Sequence, residues 1–386
     1  MKVSGNWLTR SPTQAVFSLL ADAGHQVFAV GGCVRNALLG VPVADVDLAT
    51  DARPETVLEL AADKKLRAVP TGIDHGTVTV VVDGLGFEVT TFRRDVETDG
   101  RRAVVAYADD IETDAHRRDF TVNALYSDRD GQVHDPLGGL SDLEARQIRF
   151  IDDAGERIRE DALRILRFFR FHALYGDDDA GLDQDGLAAA AEHVELLDDL
   201  SKERVGSEMR RLLAAPDPAP ALAAFAATGG LARILPGANA GGLAPLVAVE
   251  NNTPPRALRR LAVIGGEDVA TRLRLSRSET RDLAGLKRAL GDDSRIEVLA
   301  YRFGAEIARD ATLIRASSIG LAPPPDLEAL LARGAAATLP VRARDLIDDV
   351  GEGPELGALM KDLETYWIAS NFAPTREDLL ARAKAR

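Results

Sequence analysis

Cysteine is nearly missing from this 386-residue chain, in which Cys33 stands alone. A single thiol excludes an internal disulfide framework and a multi-cysteine metal site. Long apolar runs are missing as well. None approaches the roughly 18 residues that a membrane span needs, and the first residues lack a secretory-signal pattern. These absences read as a soluble, cytoplasmic protein without a membrane partner. Basic residues are in deficit, 47 Lys and Arg against 61 Asp and Glu, for a net charge of −14. As a whole-chain average, that balance argues against nucleic acid as a partner.

The average conceals local differences. Asp177, Asp178, Asp179, Asp183 and Asp185 form an acidic, glycine-containing stretch that reads as a solvated loop. Residues 256–288 run the other way, with nine Lys and Arg against four acids. With 46% hydrophobic and 28% charged residues the chain can bury a core, and its length implies more than one domain.

Up to about residue 145 the texture is mixed. Val27–Val30 is a short apolar run that ends in Gly31-Gly32 and is followed by a helical pattern to Gly40. Residues 43–50 alternate apolar and acidic side chains. Thr77–Val82 and 87–92 are strand-like, joined by Asp83-Gly84-Leu85-Gly86 as a hairpin. Beyond Leu143 alanine, leucine and arginine at helical spacing dominate, broken at 214–220, 236–245 and 321–326. The expected class is α+β, a mixed-sheet head at 1–143 followed by an all-helical neck (144–215), body (216–310) and tail (311–386).

The chemistry concentrates in the head. Asp45-Val46-Asp47 follows Gly31-Gly32, and residues i and i+2 of a strand share a face, so both carboxylates point one way. Like charges held close need a bridging cation, and oxygen ligands suit Mg²⁺ completed by substrate phosphates. Glu88 is the natural third carboxylate if its strand lies beside the first. The two glycines let backbone N–H groups approach a triphosphate, and Arg35 can neutralise it.

Gly31-Gly32-Cys33-Val34-Arg35, followed by Asp45-Val46-Asp47-Leu48, resembles the signature of the DNA polymerase β superfamily, as found in CCA-adding enzymes and poly(A) polymerases. Arg117-Arg118-Asp119-Phe120-Thr121-Val122-Asn123-Ala124-Leu125 is similar to the family's second motif, which contacts ribose and phosphates. Residues 135–143 resemble the third, at a head–neck junction. Glu160-Asp161-Ala162-Leu163-Arg164 resembles the fourth, the amino-acid template of the bacterial and eukaryotic class.

The resemblance implies addition of C, C and A to a tRNA 3′ end from CTP and ATP by a two-metal in-line displacement. It assigns Mg²⁺ to Asp45 and Asp47 with Glu88, and nucleotide contacts to Gly31, Gly32, Arg35, Arg118, Asp119, Asp161, Arg164, Arg167 and Arg170. A-adding enzymes and poly(A) polymerases share these motifs, and a non-catalytic nucleotide- or RNA-binding module is the alternative from another class. His172 and His193 are the only histidines beyond residue 150, so the histidine–aspartate hydrolase domain of some relatives is not expected.

Asp161 and Arg164 are three apart, neighbours on one helix face. A carboxylate accepts and a guanidinium donates, so the pair suits the amino group and ring nitrogen of cytosine or adenine. The carbonyl oxygen of guanine or uracil would meet the carboxylate with no proton between. A row at three-residue spacing drifts by roughly 60° per step, so Arg167 and Arg170 cannot face the same base. Phe168, Phe169 and Phe171 read as core. Two further expectations concern RNA. Residues 94–114 form a mobile loop that permits the final A, and the 256–288 segment, Arg256, Arg259 and Arg260 included, touches tRNA.

Overall fold

The computed structural model describes residues 1–98, 103–251 and 253–385. Its contacts divide it into two compact units, Met1–Ala240 with Gly266–Arg274, and Gly241–Gly265 with Leu275–Arg386.

The first unit carries a seven-stranded sheet. In chain order the strands are β1 (Val27–Val30), β2 (Asp47–Thr50), β3 (Arg67–Gly72), β4 (Thr77–Val82), β5 (Leu85–Thr91), β6 (Arg93–Thr98), β7 (Ala103–Tyr107), β8 (Tyr126–Ser127) and β9 (Val133–His134). The sheet runs β3-β4-β5-β2-β1-β8-β9, while β6 and β7 pair separately. β2 and β5 are parallel and every other adjacent pair is antiparallel, a mixed sheet. β4 reads Thr-Val-Thr-Val-Val-Val, with alternate residues buried, as a β-branched half-buried strand should. The connection to β5 is tighter than expected. Val82 pairs with Leu85, leaving a two-residue turn in which Asp83 and Gly84 both have positive φ, 51° and 78°. That is the geometry a twisted hairpin favours.

The 94–114 expectation needs correcting. β6 and β7 form an antiparallel hairpin, and the helix Ile111–His116 follows, capped by Asp110. The run Ala-Val-Val-Ala-Tyr of β7 carried the strand signal. Asp99, Gly100, Arg101 and Arg102 lie outside the described residues.

After β9 the described chain is helical. The helix Leu163–Tyr175 buries Phe168, Phe169 and Phe171; Phe168 and Phe171 pack with Phe120 of the head, and Phe168 also with Phe150. This aromatic core ties the neck helix to the sheet domain. Gly206, on the helix Lys202–Leu213, lies against the returning segment 266–274. A Cβ there would come within 2.0 Å of the Leu273 carbonyl oxygen, so only glycine permits the approach.

The second unit is all-helical among its described residues, and the helix Ala305–Ser318 runs straight through the expected body–tail boundary at 310. Here the basic segment departs from expectation. Arg259 and Arg260 are each 1% exposed. Arg259 meets Glu250 at 2.6 Å and Asp310 at 3.0 Å, and Arg260 meets Glu250 at 2.6 Å. Arg256 bonds Asp310 and lies 3.0 Å from Glu306. All three arginines tie helices together, and the buried Arg259 and Arg260 present no cation to a phosphate. Of the segment's remainder, Arg277, Arg281, Lys287 and Arg288 are exposed along the helix Arg277–Leu290. No described helix is long and apolar enough to cross a membrane.

Candidate active site

At the end of β1 the chain turns through Gly31, whose φ of 71° and ψ of −119° suit only glycine, into the helix Gly32–Leu39. Cys33 packs beneath this turn. Burial, with the charge of Asp47, pushes its thiol up to about 12, so it stays protonated and inert.

Asp47 opens β2, and the parallel pairing sets it directly beside Glu88 of β5. Asp45 precedes the strand instead of lying in it, a difference from expectation. The alternation nevertheless holds, since Asp45 and Asp47 are exposed while Val46 between them is 3% exposed. Desolvation raises the Asp47 carboxyl to about 6, with Glu88 and Asp45 adding to the rise and Arg118 opposing it. Among the described residues none of the three acids has an ion-pair partner, and no three such groups already converge into a cage for a metal. Unpaired acids that disfavour each other's charge fit a divalent cation that draws its remaining ligands from a substrate.

The second motif forms the opposite wall. Asp114, 1% exposed, accepts from Arg117 Nε at 2.7 Å, from Arg118 Nη2 at 2.8 Å and from the Tyr126 hydroxyl at 2.8 Å. Although burial opposes ionisation, the two guanidiniums hold this carboxyl well below the usual range. Asp119 accepts from Arg167 at 2.5 and 2.7 Å and from Asn123 at 2.9 Å. It therefore faces protein donors and anchors Arg167.

Asp161 and Arg164 do not share one helical face. Asp161 is extended and sits between the helices Ala154–Glu160 and Leu163–Tyr175. One of its oxygens accepts from the Leu163 amide at 3.1 Å and the other from Arg204 at 2.6 Å. Arg164 bonds Glu160 at 2.6 Å and the carbonyls of Arg157 and Arg117. Both side chains nonetheless line one cleft of about 430 Å³, together with Gly31, Gly32, Arg35, Asp47, Arg118, Asp119 and Arg167. Arg170 is not among its walls. It is turned to Glu208 at 2.5 Å, as the drift of a three-residue row requires. Asp45 and Glu88 stand beside Asp47 outside the cleft proper.

Asp114, Asn123, Tyr126, Glu160, Arg204 and Glu208 escaped the sequence reading as parts of the site. Asn123 and Glu160 stand inside the quoted motifs, whereas the buried roles of Asp114 and Glu208 have no local signature.

A mixed sheet that presents a glycine turn and paired acids to an arginine-walled cleft is the head of a nucleotidyltransferase-type fold. The poly A polymerase head domain matches residues 27–149, and the probable RNA and SrmB-binding site of polymerase A matches 181–241. Over these segments the chain is similar to CCA-adding enzymes and poly(A) polymerases. It is 44% identical over 203 residues to a CCA-adding enzyme of Streptococcus sanguinis, covering 52% of this chain and 49% of that one. It is 39% identical over 201 residues to the mitochondrial CCA tRNA nucleotidyltransferase 1 of Mus musculus, covering 52% and 46%. The chain thus spans about half the length of the curated relatives it matches. The crystal structure of the Bacillus stearothermophilus CCA-adding enzyme in complex with CTP superimposes with a TM-score of 0.76 at 29% identity, covering 98% of both chains.

Proposed function

We propose that this protein adds C, C and A in turn to the 3′ end of tRNA in the cytoplasm, using CTP and ATP and releasing pyrophosphate. The observation that carries the reading is the single cleft that joins Asp161 and Arg164 to the glycine turn, Arg35, Asp47 and Arg118. Base-reading and phosphate-holding groups share one pocket, with no room assigned to a nucleic-acid template.

Asp45 and Asp47, with Glu88 alongside, would hold Mg²⁺. A divalent cation held there would supply Lewis-acid chemistry, acidifying the attacking 3′-hydroxyl and offsetting charge on the leaving pyrophosphate. The Gly31 and Gly32 turn and Arg35 take the triphosphate, and Arg118, fixed by Asp114, adds a further cation. Asp161 accepts from the amino group of cytosine or adenine, and Arg164 donates to the adjacent ring nitrogen. Asp119 acts through Arg167 to stiffen the phosphate side. The exposed Arg277, Arg281, Lys287 and Arg288 contribute to the grip of the helical body on tRNA.

The test is purified protein with tRNA ending at its discriminator base, Mg²⁺ and one labelled nucleotide at a time. Two additions from CTP, then one from ATP, are expected on a sequencing gel. Addition of A only to tRNA ending in CC would replace this reading with A addition. Long A tracts would indicate a poly(A) polymerase.

A further inference from the structure

Six arginines line the cleft, and five are already matched to a carboxylate. Arg117 and Arg118 bond Asp114, Arg164 bonds Glu160, Arg167 bonds Asp119 and Arg204 bonds Asp161. Arg35 is the exception. It is 6% exposed, and among the described residues no carboxylate pairs with it. The acid that acts on it from a distance, Asp119, is already engaged by Arg167 and Asn123. Uncharged partners hold the guanidinium instead, namely the side-chain oxygens of Asn36 and Asn123 and the Tyr175 hydroxyl at 2.9 Å. Its carbon lies 4.1 Å from the Tyr175 ring centroid and 5.1 Å from that of Phe171. A buried cation left without a counter-charge is costly, and a ligand that brings the negative charge removes that cost.

Tyr175 ends the helix Leu163–Tyr175, which also carries Arg164 and Arg167. Arg167, Phe171 and Tyr175 follow at four-residue intervals and so share a face, with Arg167 over the Phe171 ring at 5.2 Å. Arg35 comes from the first turn after the glycines, on a different element. The aromatic face of the neck helix therefore supports the phosphate-side cation of the head.

We infer that Tyr175 is a positioning residue for the nucleotide triphosphate, holding Arg35 unpaired, oriented and open to the phosphates through its ring and its hydroxyl. The inference rests on the nucleotidyltransferase reading above. It assigns Tyr175 to affinity for the triphosphate common to CTP and ATP, and gives it no part in choosing the base.

The test is a double-mutant cycle. Nucleotide binding is measured by calorimetry, and KM and kcat for CTP and ATP are measured alongside, for Tyr175→Leu and Tyr175→Phe, each with Arg35 intact and with Arg35→Ala. With Arg35 intact, Tyr175→Leu should weaken binding of both nucleotides on the order of tenfold, and Tyr175→Phe by less, because it keeps the ring. The ratio of CTP to UTP use should stay the same. With Arg35→Ala in place, Tyr175→Leu should weaken binding no further. An equal loss in both backgrounds would make Tyr175 a core residue only, and a changed base ratio would attach it to the template; either result overturns the inference. Should Tyr175→Leu fail to fold, the near-isosteric Tyr175→Phe carries the same comparison. Failure of the wild-type protein to bind or use either nucleotide would instead sink the underlying function.

Discussion

The two arginine clusters of this chain have similar chemistry and opposite fates. In the first unit Arg118, Arg164 and Arg167 each bond a carboxylate, yet their side chains retain 17%, 12% and 30% exposure on a shared cleft. In the second unit Arg259 bonds Glu250 and Asp310, and Arg260 bonds Glu250, with side chains only 2% and 1% exposed. The distances are alike, so strength of pairing does not separate the groups. Access does. A guanidinium has five donors in a fixed fork, and a carboxylate on one edge leaves the other free if a cavity lies there. Where protein closes every side, the same pair is a strut, and removing one member leaves a buried charge behind.

The largest effect should come from the acids that the protein leaves unpaired. Asp47→Asn should lower incorporation of both CMP and AMP on the order of a thousandfold, while tRNA binding measured by filter retention is nearly unchanged. Turnover close to wild type would remove Asp47 from the metal site. Next is the buried cluster. Arg259→Ala should cost about 3–5 kcal/mol in chemical denaturation, because Glu250 and Asp310 lose their shared partner. A loss below about 1 kcal/mol would place these arginines with ordinary surface pairs and dissolve the contrast between the clusters.

Arg164→Ala should instead leave the fold largely intact and relax base choice by about 1–3 kcal/mol, read as the ratio of CTP to UTP use. An unchanged ratio would make Arg164 a second strut, pairing Glu160 and nothing else. The smallest effect concerns protons. Asp47 in the folded protein has its pKa raised from 3.8 to about 6, so the fold binds the proton more tightly than the unfolded chain does. Stability contributed at this position is therefore full at low pH and declines as pH rises through that window. Without added metal, Asp47→Asn should melt slightly above wild type at pH above about 7, and the two curves should converge below about pH 4. Asp114, with its carboxyl held below the usual range, has the opposite sign. Asp114→Asn should melt below wild type near neutrality.

Much of the head was legible locally. The apolar run of β1, the glycine turn and the hairpin of β4 and β5 are built from near neighbours, and their residue types select their dihedrals. The hairpin of β6 and β7 was missed because polar residues around its turn outweighed the β-rich run of β7. In the site, Asp161 and Arg164 read as one helical face, whereas Asp161 lies in the break between two helices and Arg164 on the second.

What the sequence determined by itself was which groups exist and which of them lie near one another along the chain. These are the acids at 45 and 47, the turn at 31 and 32, the arginine row of the neck helix and the change to helix after the head. Tertiary structure alone decided who faces whom. Parallel pairing of strands distant in sequence put Glu88 beside Asp47, and burial put Asp114 beneath Arg118. Packing also closed the second unit over Arg259 and Arg260 while leaving Arg164 and Arg167 open to a cleft. Backbone preference acts over a few residues, whereas desolvation depends on every element that packs against a group, so the use of each arginine could be decided only in the folded chain.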